Sequence, residues 1–220
     1  MPSPGDLQAL SEPVRRELIA RHEAREVALQ AGREATRAAA NAIRATHRGE
    51  ADRADELLEV ARTELQRAEA ACAPHPEVRY AGFIADAAKE LAEAVLTRDA
   101  VAGRPLPGPE EVGVDGVAWL HGLAETVGEL RRASLDLVRA EEIDRAETLL
   151  ALMQEILGAL ATIDVPDGLT RGLRRATDAA RAITERTRGD LTTAVGQRRL
   201  REALDAHRAA VEREAAPDGP

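Results

Sequence analysis

The sequence predicts an all-α protein, a long antiparallel bundle of six to seven helices. Three observations lead there. Ala, Leu, Glu and Arg, all good helix formers, dominate nearly the whole chain. No run of alternating β-branched residues marks a strand. Apolar residues recur at steps of three and four between breaks made by Gly and Pro. Tyr80, Phe83 and Trp119 are the only aromatic residues, so the core must be built from Leu, Ala, Val and Ile.

Taken in order, residues 1–12 contain Pro and Gly and are expected to be disordered. Pro13 suits a first helical turn with Ser11 as its cap, and Gly49 suits a stop, so the first helix is predicted from Pro13 to about His47. A second runs from Glu50 to Cys72 with Leu57, Leu58, Ala61 and Leu65 inward, and Pro74-His75-Pro76 ends it. The third covers Arg79 to Asp99. The stretch 103–113, with three Pro and three Gly, is a loop. The fourth helix, Asp115 to Ala140, carries a seam of Leu120, Leu123, Val127, Leu130, Ser134 and Leu137. The fifth, Glu142 to Thr162, repeats that seam; Leu149, Leu152 and Ile156 widen it, so this helix is predicted to be the most buried. A turn at Asp164–Gly168 leads to a sixth helix through Leu169, Leu173, Ala176, Ala180 and Ile183. Gly189-Asp190 either breaks it or lets it continue through Leu191, Val195, Leu200 and Leu204. One helical domain is expected over 13–214, with a disordered tail at 215–220.

Charge and composition exclude several classes. The net charge of −9 argues against a basic coat for duplex DNA. The charge is uneven: residues 165–214 carry 11 basic and 8 acidic side chains, while the rest of the chain is strongly acidic. Cys72 is the only cysteine, so no intrachain disulfide can form and a reducing, cytoplasmic setting is expected. The N-terminus does not read as a signal peptide, and no apolar run approaches membrane-spanning length. There is no Gly-rich phosphate loop, no CxxC pair and no HExxH. His121 lies just off the fourth helix's seam and reads as structural.

Two stretches carry candidate chemistry. On the third helix, Ile84, Ala88, Leu91 and Val95 form one stripe; Asp86, Glu90, Glu93 and Thr97 form another roughly opposite. Glu90 and Glu93 are neighbours at i, i+3 and repel each other, and an oxygen-seeking divalent cation such as Mg²⁺ relieves that repulsion. On the first helix, His22, Arg33, Arg37, Arg44, His47 and Arg48 fall within about a third of the circumference, a register that can track a phosphate backbone. Either pattern is also what a solvated helix face looks like.

Three segments together resemble the translin family, which includes translin and translin-associated factor X. On the first helix, Arg21-His22, Arg33-Glu34-Ala35-Thr36 and His47-Arg48 match the factor X pattern of an RH pair, an R-[DE]-x-T and an HR. Lys89 to Val95, KELAEAV, is similar to the family's E-x-x-E-A stretch. Trp119 to Glu147, WLHGLAETVGELRR…EEIDRAE, looks like the aromatic-L-x-G and [GS]-E-L-x-R pattern with its following turn. The resemblance covers most of residues 14–195. It implies a helical protomer that assembles into a hollow homo-oligomer, typically of eight subunits, and binds single-stranded RNA or DNA. A second translin-family chain would be a further partner. The factor X branch implies a Mg²⁺-dependent endoribonuclease with three carboxylates. Two map onto Glu90 and Glu93, which would be both metal ligands and catalytic residues. The third, an Asp, falls on Gly158. Glu155, one turn earlier, is the substitute expected for it, with Asp164, Glu129 and Glu125 as further candidates. The family's nucleic-acid contacts map onto Arg33, Arg37, Arg44, Arg48, Arg79 and Tyr80.

Overall fold

The computed structural model describes residues 4–79 and 82–215. Among them the chain forms α1 (Pro4–His47), α2 (Ala51–Cys72), α3 (Pro76–Arg79), α4 (Phe83–Val101), α5 (Pro109–Val112), α6 (Gly116–Arg139), α7 (Ile143–Ala161), α8 (Asp167–Thr170) and α9 (Leu173–Ala215). Six of these are long, and α3, α5 and α8 are single turns. No strand occurs among the described residues. The all-α bundle read from the sequence is therefore the observed fold.

Several boundaries differ from expectation. Helix α1 begins at Pro4, so the described part of the segment expected to be disordered is helical, and Pro13 lies inside it. Ser11 does not cap: its hydroxyl donates back to the Gln8 carbonyl at 3.1 Å, an in-helix bond. Leu7, Gln8, Ala9, Leu10 and Glu12 are helix formers, and Pro13 removes only one backbone bond near the start. Helix α9 runs unbroken through Gly189-Asp190. The hydroxyls of Thr192 and Thr193 donate to the carbonyls of Arg188 and Gly189 at 2.8 and 3.1 Å, and Leu191 is buried, which offsets the glycine. Residues 216–220, the rest of the expected tail, lie outside the described residues.

The chain divides into two compact units, Met1–Thr126 with Val165–Leu173, and Val127–Asp164 with Arg174–Pro220, where the sequence suggests one domain. Helix α6 passes from the first unit into the second. The first unit is packed on alanine. Ala28, Ala31, Ala35, Ala38, Ala39 and Ala42 form the inner seam of α1, and Ala54, Leu58, Ala61, Leu65, Ala68 and Cys72 that of α2. Small side chains in register let helix backbones approach closely, and an enlarged residue there would force them apart at about 1–3 kcal/mol. Helix α4 packs against both, with twelve of its nineteen residues buried. It, not α7, is the most buried helix. Leu150, Leu152 and Leu157 of α7 are only half-buried, whereas α4 is covered on nearly every side. The 103–113 loop is held rather than free: Arg62 donates to the Val112 carbonyl at 3.0 Å, and the Trp119 indole donates to the Pro107 carbonyl at 3.0 Å.

In the second unit, Leu130, Ile143, Ala146, Met153, Ile156, Leu160 and Leu191 are buried. Arg131 donates to the Thr187 hydroxyl at 3.1 Å and pairs with Asp190 at 2.8 Å.

Candidate functional site

The helical period sets Asp86, Lys89, Glu90 and Glu93 along one face of α4. What lies opposite is α6, and the close approach is made at Gly122. A Cβ added there would sit 2.6 Å from the Cβ of Ala92, 2.8 Å from the Glu93 nitrogen and 3.0 Å from the Lys89 carbonyl oxygen. Glycine is therefore required for this crossing by lack of space, since the nearest backbone atoms cannot yield. One turn further along α6, Glu125 comes beside the α4 carboxylates. One carboxylate oxygen from each of Glu90, Glu93 and Glu125 lies within 4.8 Å of the others. Glu93 is buried and the other two are half-buried.

Lys89 completes the cluster. Its ammonium donates to Glu125 at 2.7 Å and lies 3.1 Å from Glu90. Burial works to lower the lysine pKa, but the hydrogen bond and charge of Glu125, then those of Glu90, outweigh it, so Lys89 titrates above the ordinary lysine value. With all three carboxylates ionised, the cluster and its one ammonium would carry a net charge of −2, which a divalent cation would balance. The all-oxygen donor set suits a hard cation such as Mg²⁺ or Ca²⁺.

The sequence-predicted residues fall as follows. Glu90 and Glu93 are brought together, and the third carboxylate at their side is Glu125, one of the four alternatives. Glu155 and Gly158 are exposed positions on α7 in the second unit. Asp164 also lies there, exposed, and pairs with Arg174 at 3.9 Å. Glu129 lies one turn beyond Glu125 on α6.

Arg33, Arg37 and Arg44 line a groove of ≈ 440 Å³ with Gly32, Thr36 and Ala40 of α1 and with Phe83 and Asp86 of α4. Arg33 has no ion pair or hydrogen bond among the described residues; Arg37 pairs with Glu34, and Arg44 donates to Asn41 at 2.7 Å. Arg48 is outside the groove lining and is held by both carboxylate oxygens of Glu50, each at 2.7 Å. That bidentate bond raises the Arg48 pKa and lowers that of Glu50. The Arg79 side chain and Tyr80 lie outside the described residues.

Two site residues escaped the sequence reading. Lys89 had a signal: it is the one lysine among 30 basic residues. Gly122 stands in the WLHGLAE segment, but which backbone it must pass is a tertiary fact.

The fold and this site define a class: all-helical proteins with a carboxylate cluster on a buried helix and an arginine-lined groove beside it. No family model matches the sequence. Over 183 residues, 82% of this chain and 80% of the relative, it is 28% identical to an uncharacterized protein of Methanocaldococcus jannaschii. The crystal structure of AfC3PO superposes with a TM-score of 0.79 at 32% identity, covering 85% of this chain and 97% of that one. The complex of AfC3PO with duplex RNA gives 0.78 at the same identity and coverage. Apo-NeC3PO, at 18% identity, shares the fold with a TM-score of 0.75 over 88% of this chain and 99% of its own. AfC3PO and NeC3PO are translin-family structures, and this chain belongs to the translin family. No helix among the described residues is long and apolar enough to cross a membrane.

Proposed function

We propose that this chain binds single-stranded nucleic acid, RNA in the first instance, along the groove between α1 and the start of α4. The observation that carries the reading is the alignment of Arg33, Arg37 and Arg44 along one groove. Guanidinium groups in register hold successive phosphates, and binding of that kind weakens steeply with salt. The relative AfC3PO, solved with duplex RNA, supports an RNA ligand. Phe83 is the one aromatic residue in the groove lining, beside three arginines, so backbone contacts outnumber the places where a base can stack. Assembly into a homo-oligomer belongs to the same proposal. It is supported by the exposed Leu7, Leu10, Val14 and Leu18 of α1 and Leu200, Leu204 and Val211 of α9, apolar rows that a second copy would cover.

The Glu90–Glu93–Glu125 cluster favours a second reading, a Mg²⁺-dependent endoribonuclease. A bound cation would supply Lewis-acid polarisation of a phosphoryl oxygen and a more acidic water. In this reading the three carboxylates hold the cation, Gly122 sets their spacing, and the α1 arginines hold the strand. Lys89, paired with Glu90 and Glu125, offsets part of the repulsion among the carboxylates that would hold the cation.

The test is a labelled RNA, single-stranded and duplex, incubated with and without Mg²⁺ and run on native and denaturing gels. A salt-sensitive shift without cleavage selects the binding reading alone. Mg²⁺-dependent cleavage selects the second, and Glu93→Gln should then remove cleavage by about 100-fold or more while leaving the shift. No shift under any condition refutes both.

A further inference from the structure

A second cavity of ≈ 190 Å³ opens on the other side of Asp86, lined by Asp86 and Lys89 of α4, Val117, Ala118 and His121 of α6, and Arg171. Its unused hydrogen-bond donors converge. The Lys89 ammonium has three donors, of which Glu90 and Glu125 take two. Nε2–H of His121 donates to the Thr170 carbonyl at 2.7 Å, which ties the residue before Arg171 to α6. Arg171 has five donors and no ion pair or hydrogen bond among the described residues. Asp86 is the single acidic group in the lining, outnumbered by two permanent cations.

The backbone under Arg171 points the same way. Arg171 is one of two non-glycine residues with positive φ among those described, at 51°, and Gly172 follows at 84°. An arginine in this region is strained, and such strain persists only where the surroundings enforce it. Here the enforcement is visible. The segment Val165–Leu173 packs with the first unit although the chain on either side belongs to the second, and the His121 bond to Thr170 fixes its end. The outcome is a guanidinium delivered to the rim of a cavity that already holds an ammonium and an imidazole.

We propose that Lys89 and Arg171, the latter positioned by the His121 bond to Thr170, form a phosphate-binding subsite beside the carboxylate cluster, taking one phosphate group of a nucleic-acid strand. Asp86 lines both this cavity and the arginine groove, so the two are neighbours, and a strand following α1 would pass beside the subsite. The nucleic-acid source of the phosphate rests on the function proposed above; the chemistry of the pocket does not.

The decisive variant is Arg171→Gly. Glycine suits a positive φ, so the fold is kept, and the thermal midpoint should hold or rise while the cation is removed. Anisotropy titrations of labelled single-stranded RNA over a salt series should show about tenfold weaker binding and a salt slope shallower by about 0.7, one phosphate contact. Arg171→Lys should recover most of the slope. If Arg171→Gly binds as the unaltered chain does while Arg33→Gln is weakened, the subsite is overturned and RNA binding stands. If the unaltered chain binds no RNA, the proposed function falls, and the His121 ring resonances during titration with inorganic phosphate decide the pocket. A shift that Arg171→Gly removes upholds a site for free phosphate; no shift overturns it.

Discussion

In the first unit, α4 is buried on nearly every side and still carries Lys89, Glu93 and Asp99. In the second, α9 runs for 43 residues, and from Arg199 to Ala209 every residue is exposed. Both helices are rich in charge. The charges of α4 are fixed by what surrounds them: Asp99, 7% exposed, is held by Arg98 at 2.9 Å and Arg104 at 2.8 Å, and Lys89 by two carboxylates. Two of the pairs that tie α9 to the rest of its unit, Arg198–Asp144 at 2.8 Å and Arg201–Glu141 at 2.6 Å, are at the surface. Pairs of that kind contribute about 0–1 kcal/mol and hold nothing in place for chemistry. Charge positioned by packing, and not charge density, distinguishes the candidate site.

The contrast is broken most severely by opening the alanine-packed unit. Leu91→Ala, at a fully buried position of α4, should cost about 2–5 kcal/mol, whereas Leu204→Ala on exposed α9 should stay within about 0.5 kcal/mol. Urea unfolding of both variants measures the difference, and similar costs would contradict the division. Gly122→Ala should cost about 1–3 kcal/mol by pushing α6 off α4. It should also abolish any rise in thermal midpoint that Mg²⁺ gives the unaltered chain, since Glu125 moves away from its partners.

Smaller changes sharpen the comparison from the other side. Gly189→Ala meets nothing within 4 Å in the middle of α9 and should stabilise the chain by about 0.5–1 kcal/mol, read from the same urea curves. The smallest effect concerns pH. The folded protein holds the Lys89 proton more tightly than the unfolded chain does, so the interaction is fully present below the ordinary lysine value of 10.5 and fades as pH rises through the higher folded value. The stability gap between the unaltered chain and Lys89→Met should stay level from about pH 7 to about pH 10 and narrow above that. Narrowing that begins near neutrality would show that Lys89 is not held as described.

The six long helices were legible because their apolar steps and Gly/Pro breaks are local signals. What escaped was decided by competition. Pro13 and Gly189 are real helix breakers by propensity, but good helix formers around the first and a buried Leu191 beside the second outweigh them. The pair Glu90 and Glu93 was legible from the helical period alone. Its third carboxylate was sought first at Glu155, one turn from Gly158, with Asp164, Glu129 and Glu125 as further candidates, and the close crossing at Gly122 is what brings Glu125 to the pair. Arg171 gave no signal at all. It lies between two glycines in a turn, and a turn is read from sequence as a place where the chain merely changes direction.

Lys89 also bears on how the protein is made. Three carboxylates gathered on two helices would resist being brought together during folding, and many metal sites overcome that only when the ion is present to nucleate them. Here the Lys89 ammonium pairs with two of the three, Glu90 and Glu125. On the proposed reading the chain would reach its native state without waiting for a metal, chelator-treated protein would stay folded, and loading would be an exchange of one cation for another at a finished site.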